Sequence, residues 1–274
     1  MGRSQSKVEL NHGYGWIRGK ADPTDQYHDF TEEKKNLKLN VVKKVDLREF
    51  CPPVYDQGKL GSCTANAIAF LYEYDMIKQF RANASATIPF TPARNFIYYN
   101  EREMEGTTSE DAGAEIRDGI KSINMFGVCS ETLYPYDISK FTEKPPAVCY
   151  KHAEKHKAVA YKRVNQNLED MKQCLVSGYP FAFGFEVFES FETVKVATTG
   201  EMVLPADEGD KLLGGHAVAA VGYDDEKEVF IIRNSWSDKW GDKGYFYMPY
   251  SFITNSARTD DFWTVYQTAN KEDI

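Results

Sequence analysis

The 274-residue sequence has no long hydrophobic run and no excess of positive charge. No stretch approaches the ~18 consecutive apolar residues that a membrane-spanning helix needs. Lysine and arginine total 33 against 41 aspartate and glutamate residues, which gives a formal net charge of −8. A nucleic-acid surface needs a basic stripe to neutralise phosphates, so neither nucleic acid nor stable membrane insertion is expected.

Cysteines are few, and the first ten residues lack the apolar core of a secretory signal. Five cysteines exclude a disulfide-dense scaffold, and an odd number leaves at least one thiol outside any internal pairing. Without a secretory signal the expected surroundings are reducing, where most thiols stay free.

The composition that remains is that of a globular protein, 42% hydrophobic and 27% charged. Residues 1–44 form a polar, irregular extension. Beyond it, periodicity predicts helices first and strands second, which is typical of an α+β fold. The predicted helices span 63–79, 91–104, 114–126 and 168–177, and the predicted strands span 180–188, 215–223, 229–234 and 244–248. A long connection at about 137–160 would separate a helical part, 45–160, from a β-rich part, 161–274.

Cys63 lies where a nucleophilic thiol would be useful, after Gly61-Ser62 and at the start of a predicted helix. Helix N-terminal amides favour a thiolate. Gln57, six residues upstream, can bring its side-chain amide beside the Cys63 backbone N–H. Two donors aimed at one point form an oxyanion hole for a tetrahedral acyl intermediate.

A thiol nucleophile needs a base, and His216 is the best placed of five histidines because it begins an apolar strand after two glycines. Asn234 ends the next apolar strand. If the two strands pair antiparallel, His216 and Asn234 come to the same end, where the amide oxygen would fix the imidazole tautomer. Trp236 would cover that hydrogen bond.

Two other histidines, His152 and His156, follow Cys149 at a spacing of four. This spacing suits a metal site, but it equally suits the solvated face of a charged helix. We therefore expect no metal and no cofactor.

Three blocks of sequence resemble the signature motifs of papain-like cysteine peptidases, in the family's order. They are Gln57-Gly-Lys-Leu-Gly-Ser-Cys63, Gly215-His216 through Gly222-Tyr223, and Asn234-Ser-Trp236 through Gly244-Tyr245. The stretch Ala257 to Trp263 is similar to the end of cathepsin B, and the short extension is similar to those of cathepsin-B-like proteins in microbes and large DNA viruses. The resemblance covers about 45–266 and implies a helical left domain, a β-rich right domain and a cleft between them.

The resemblance implies roles for individual residues. Cys63 would be the nucleophile, His216 the general acid/base, Asn234 the orienting residue and Gln57 the oxyanion donor. Three further residues would meet substrate together with Trp236: Gly113, Ala217 and Ser251. Peptides or proteins would be the substrates, with residues 1–44 as a candidate autoinhibitory segment. Because no secretory signal or membrane span is found in the sequence, a cytoplasmic or virion-packaged location is expected over secretion.

Departures from the family pattern leave alternatives open. Thr64 follows the nucleophile where papain has tryptophan, and the stretch after Tyr136 lacks the paired histidines of cathepsin B. The second departure favours an endopeptidase over a peptidase that acts at chain ends. The alternatives are a Cys-dependent acyltransferase or peptide ligase, and a proteolytically silent protein that retains the fold for binding.

Overall fold

The structure is a computed structural model and describes residues 12–20, 22–28, 42–206 and 209–268. Within these ranges the chain forms seven α-helices and seven β-strands. The helices are α1 (Cys63–Ala82), α2 (Arg94–Glu105), α3 (Ile116–Met125), α4 (Ala147–Ala153), α5 (Leu168–Val176), α6 (Val194–Thr199) and α7 (Tyr250–Ile253). The strands are β1 (Lys44–Asp46), β2 (Ala158–Arg163), β3 (Phe181–Phe188), β4 (Leu212–Asp224), β5 (Val229–Arg233), β6 (Tyr245–Pro249) and β7 (Thr259–Thr268).

All seven strands belong to one antiparallel sheet with the order β2-β7-β3-β4-β5-β6, and β1 pairs with β4. The long helix α1 packs against β4, β7 and β3, and α2 and α3 pack against α1. Helices thus dominate the first half and strands the second, as predicted. The mixed α+β fold is confirmed.

Helix α2 begins later than the sequence pattern indicates. The predicted helix begins at residue 91, but in the structure Thr91 Oγ1 donates to Glu73, and Pro92 forms an isolated β-bridge with Ser130. The backbone N–H of Ala93 donates to the carbonyl of Cys129 at 2.8 Å. These contacts hold residues 91–93 in an extended conformation, so the helix starts only at Arg94.

The predicted connection at 137–160 contains structure that the pattern did not indicate. It holds helix α4, and β2 begins inside it at Ala158. The proposed division at residue 160 therefore falls within a strand of the sheet. Strand β7, at the end of the described chain, was also not predicted, although it pairs with both β2 and β3.

Among the described residues, no helix is long and apolar enough to cross a membrane. The same residues contain no cluster of three or more His, Cys, Asp or Glu side chains arranged to hold a metal ion. The rings of His152 and His156 lie close together, with centroids 4.6 Å apart and a tilt of 33° between their planes.

Candidate active site

Cys63 is the first residue of α1, and its side chain is completely buried. The loop before it is held by the Gly61 N–H, which donates to the Asp111 carboxylate at 3.1 Å. Backbone N–H groups of Ala217 and Gly15 hydrogen-bond to the Cys63 sulfur. The thiol therefore lies between the start of the central helix and strand β4.

His216 and Asn234 meet as the strand pairing predicts. Strands β4 and β5 are antiparallel, with Ala219 opposite Arg233, so both residues reach the same edge. His216 Nε2 lies 2.8 Å from Asn234 Oδ1, which also accepts from the Ser235 N–H at 2.8 Å. Because an amide oxygen only accepts, Nε2 carries the proton. The other ring nitrogen, Nδ1, is buried without a hydrogen-bond partner in the described structure and keeps its lone pair.

Aromatic rings enclose the imidazole. Trp236 stacks on His216 with ring centroids 4.7 Å apart, and Tyr14 approaches the same ring edge-on at 6.2 Å. His216 and Trp236 are both almost completely buried, so water is kept from the His216–Asn234 hydrogen bond. A shielded bond of this kind fixes the orientation of the ring.

Burial sets the protonation of both groups in this structure. It raises the pKa of the Cys63 thiol to about 12, a rise that the bonds from Ala217 and Gly15 reduce. It lowers the pKa of His216 to about 4, opposed by the bond to Asn234. Near neutral pH both side chains are uncharged, because desolvation disfavours the charged form of each.

Gln57 is fully buried and its amide is held at both ends. Its Nε2 donates to the carbonyls of Gly13 and Leu60, each at 2.9 Å. Its Oε1 accepts from Ser235 Oγ at 2.6 Å. Ser235 was not identified from the sequence, although it lies inside the Asn234-Ser-Trp236 motif. Because carbonyl oxygens only accept, the bonds to Gly13 and Leu60 identify Nε2 as the donor end of the Gln57 amide, and the Ser235 hydroxyl donates to the other end.

Residues 12–20, here called the cleft segment, run between the helical part and β4. The N–H of Trp16 donates to the carbonyl of Gly215 at 3.0 Å, and the N–H of Ala114 donates to the carbonyl of Gly15 at 2.8 Å. His12 stacks on Trp236 with centroids 4.2 Å apart, and Tyr14 OH donates to Glu192. The cleft segment thereby contacts both sides of the site.

Glycines make this close approach possible. A Cβ placed on Gly15 would lie 1.7 Å from the carbonyl oxygen of Gly61, which no side chain can tolerate. A Cβ on Gly113 would lie 2.2 Å from the Gly15 oxygen, and Gly113 also has a left-handed φ of 75°. Gly113 thus contacts the backbone of the cleft segment, and its role toward substrate stays a prediction.

The predicted substrate-contacting residues divide into two groups. Gly113 contacts the cleft segment, the Ala217 backbone contacts Cys63, and Trp236 stacks on His216. Ser251 lies exposed on α7. Asp261 of β7, which accepts from the indole N–H of Trp16 in the cleft segment, was not predicted.

Comparison with known proteins gives consistent results. The family model described as papain family cysteine protease matches residues 41–258. An uncharacterized peptidase C1-like protein of Acanthamoeba polyphaga mimivirus is 40% identical, over 95% of this chain and 89% of its own length. Cysteine proteinase 1 of Entamoeba histolytica is 28% identical over 84% of this chain and 71% of its own.

Solved structures agree. Xylellain, a cysteine protease from Xylella fastidiosa, superposes with a TM-score of 0.83 at 39% identity and covers 94% of this chain and 98% of its own. The procathepsin B S9 of Trypanosoma congolense has a TM-score of 0.71 at 18% identity, over 96% of this chain and 88% of its own, and is similar in fold. Relatives with cathepsin B and cathepsin H names both match, so the cathepsin-B-like branch stays a prediction.

Proposed function

The chain belongs to the papain family of cysteine proteases, and we propose that it hydrolyses internal peptide bonds with Cys63 as nucleophile, His216 as general acid/base and Asn234 as the residue that orients it. The observation that carries the proposal is the hydrogen-bonded His216–Asn234 pair, which leaves Nδ1 of the imidazole available to take a proton. The absence of paired histidines after Tyr136 supports internal cleavage. Its protease relatives support hydrolysis over acyl transfer, ligation or silent binding.

In the proposed reaction, His216 Nδ1 takes the thiol proton and the Cys63 sulfur attacks the carbonyl carbon of the scissile bond. The oxyanion that forms accepts from Gln57 Nε2 and from the backbone N–H of Cys63, which lies at the helix start and outside the helical ladder. Collapse of the intermediate breaks the C–N bond, and the leaving amine takes the proton from His216. This step leaves a thioester.

Water then completes the cycle. His216, neutral again, removes a proton from water as it attacks the thioester carbonyl. The second tetrahedral intermediate expels the Cys63 sulfur, which recovers its proton. Throughout, the bond from His216 Nε2 to Asn234 keeps Nδ1 directed at the reacting atoms without placing a second negative charge beside the thiolate.

The described state of the protein is best understood as a closed form. The Gly13 carbonyl occupies the donor of Gln57, and the Gly15 N–H is bonded to the Cys63 sulfur. The Cys63 sulfur therefore contacts the Gly15 N–H, while the Gly15 carbonyl oxygen accepts a hydrogen bond from the Ala114 N–H. We infer that the cleft segment inhibits the enzyme without being cut and must move before substrate can bind. The rest of residues 1–44 lies partly outside the described ranges.

Replacement of Gln57 by alanine tests the oxyanion assignment. We expect kcat to fall by about 10²–10³ with little change in KM, because the amide would act on the transition state more than on bound substrate. The assay uses the full chain carrying Gly15→Val, since the added side chain collides with Gly61 and should open the cleft. Steady-state kinetics on a fluorogenic peptide gives both constants.

Gln173→Ala is the matched control. Gln173 is another fully buried glutamine, on α5, and its amide donates to Ser177 Oγ at 3.2 Å. Its loss should affect thermal stability and leave kcat within about twofold, as expected for a substitution that touches no reacting group. A Gln57→Ala enzyme with the same kcat as this control would remove Gln57 from the mechanism.

A further inference from the structure

The hydroxyl of Tyr136 connects the two ends of residues 57–62, here called the oxyanion loop. The loop starts at Gln57, whose side-chain amide is one proposed oxyanion donor, and ends at Ser62, which precedes the other donor, the Cys63 N–H. Tyr136 Oη donates to the backbone carbonyl of Gln57 at 2.8 Å. The same oxygen lies 2.6 Å from the Ser62 hydroxyl. One side chain therefore contacts both ends of the loop that supplies the two donors.

The direction of each hydrogen bond at this hydroxyl is determined. A carbonyl oxygen only accepts, so the single Tyr136 hydroxyl proton points at Gln57, and the Ser62 hydroxyl must donate to Tyr136 Oη. The Ser62 oxygen in turn accepts from Asn66 Nδ2 at 3.1 Å. The hydrogen bonds thus run in one direction, from the Asn66 amide through two hydroxyls to the Gln57 carbonyl. Bonds arranged in this way polarise and strengthen one another.

Arg94 of α2 holds the ring that carries this hydroxyl. The buried guanidinium carbon lies 3.9 Å from the centroid of the Tyr136 ring, a cation–π geometry. Its Nη1 donates to the Asp56 carbonyl at 3.0 Å and to Asn66 Oδ1 at 3.1 Å, and its Nη2 pairs with Glu131 at 2.8 Å. One cation thus contacts the residue before the oxyanion loop, the amide at the start of the hydrogen-bond series, and the tyrosine that completes it.

Burial keeps the Tyr136 hydroxyl protonated throughout the working range of a cysteine peptidase. It raises the pKa of Tyr136 to about 12, although the bond with Ser62 and the charge of Arg94 act in the opposite direction. The hydroxyl therefore remains a donor to Gln57 and does not carry protons in the reaction. Its influence on the chemistry comes through the position of the oxyanion loop.

We propose that Tyr136 is a positioning residue for the oxyanion hole, which holds the Gln57 amide and the Cys63 N–H at the spacing that the tetrahedral intermediate requires. The proposal rests on the peptidase function above. Two donors stabilise an oxyanion fully only when both are directed at it in advance. A displacement of about 1 Å in such a site costs up to about a hundredfold in rate. We expect about tenfold here, because Leu60 and Ser235 still hold the Gln57 side chain.

Tyr136→Phe tests this role, because it removes the hydroxyl and keeps the ring beside Arg94. In the full chain carrying Gly15→Val, kcat on a fluorogenic peptide should fall about tenfold with KM within about twofold, since the oxyanion is absent from bound substrate. Alkylation of Cys63 by iodoacetamide displaces iodide and forms no oxyanion. Its rate should therefore stay within about twofold, which separates the oxyanion hole from the reactivity of the thiol.

Tyr150→Phe is the matched control. The Tyr150 hydroxyl donates to Asn100 Oδ1 at 2.9 Å, away from the oxyanion loop, and its removal should leave kcat and the alkylation rate unchanged. The double variant Gln57→Ala/Tyr136→Phe should lose less kcat than the product of the two single losses, because both residues act on one oxyanion. Single losses that multiply in the double variant would overturn the proposal.

An unchanged kcat in Tyr136→Phe would also overturn it. So would equal losses in kcat and in alkylation rate, since the hydroxyl would then support the nucleophile or the fold as a whole. If Tyr136→Phe does not fold, Ser62→Ala breaks the same series of hydrogen bonds one step earlier and must show the same split between the two rates. Failure of the proposed function is a different result, in which the Gly15→Val enzyme cuts no peptide and a peptidyl epoxide does not label Cys63.

Discussion

The full chain carrying Cys63→Ala is expected to lose peptidase activity by about 10⁴-fold or more, the size of effect seen when a covalent nucleophile is removed. Without the sulfur no thioester can form, and water has no activated partner at the carbonyl. Hydrolysis of a fluorogenic peptide in the Gly15→Val background measures the loss. Labelling of residue 63 by a peptidyl epoxide, mapped by mass spectrometry, should be lost together with the activity.

Cys51→Ala is the control for this experiment. Cys51 is the more exposed thiol, with its sulfur 3.4 Å from the Leu47 carbonyl, and burial raises its pKa to about 11. Turnover should be unchanged when it is removed. The double variant Cys63→Ala/His216→Ala should be no less active than Cys63→Ala alone, since the two groups act as a unit. Full activity in Cys63→Ala would exclude the proposed mechanism.

The site residues that belong to short local motifs could be predicted from the sequence. Cys63 follows a glycine loop and opens a helix, and Asn234 directly follows β5. His216 was expected to begin its strand, but β4 starts earlier, at Leu212, and His216 lies inside it. An antiparallel hairpin has few possible registers, so the meeting of His216 with Asn234 followed from the strand assignment. The pairing of Ala219 with Arg233 confirms that register.

Asp261 was beyond the reach of the same reasoning. It comes to the cleft because β7 pairs with β3, which places Thr259 opposite Phe185 and Asp260 opposite Gly184. Residues 189–258 lie between the two strands, and the described part of this stretch contains two helices and three other strands. Neither composition nor periodicity indicates that two strands so far apart in sequence will pair. Ser251, by contrast, was named only because of the family resemblance.

The cleft segment was missed for a similar reason. Gly13-Tyr14-Gly15-Trp16 reads as irregular chain because its glycines show no helical or strand period. These glycines are needed for contacts with distant parts of the chain, because a side chain on Gly15 would collide with Gly61 and one on Gly113 would collide with Gly15. The sequence left open whether residues 1–44 cover the cleft or pack elsewhere, and the residues that make the contacts could be identified only from the tertiary structure.

Gly15→Val in the full chain is expected to raise the reactivity of Cys63 at pH 7 by about 10²–10³. The added side chain cannot fit beside the Gly61 carbonyl, so the cleft segment must leave. With the segment in place, burial holds the pKa of Cys63 at about 12, against an ordinary value of 9.0. A thiol with the higher pKa has roughly a thousandfold less thiolate near neutral pH.

The sign of the pH dependence follows from both groups. In the closed form the pKa of His216 is about 4 and that of Cys63 about 12, so the neutral pair prevails between these values. Entry of water lowers the pKa of the thiol and raises that of the imidazole, because both shifts arise mainly from desolvation. The thiolate–imidazolium pair then forms, and activity should follow a bell-shaped curve with an acid limb from Cys63 and a basic limb from His216.

The rate of iodoacetamide alkylation, measured from pH 4 to 10 and assigned to Cys63 by peptide mapping, checks both the size and the direction of the effect. Ile17→Ala is the control, because this side chain is 40% exposed and its removal leaves the backbone bond from the Ile17 N–H to Ala114 in place. It should alkylate as slowly as the unmodified chain. Equal rates in Gly15→Val and Ile17→Ala, with both proteins folded by thermal melting, would mean that the cleft segment does not control access. Cys63 would then owe its high pKa to the core of the protein alone.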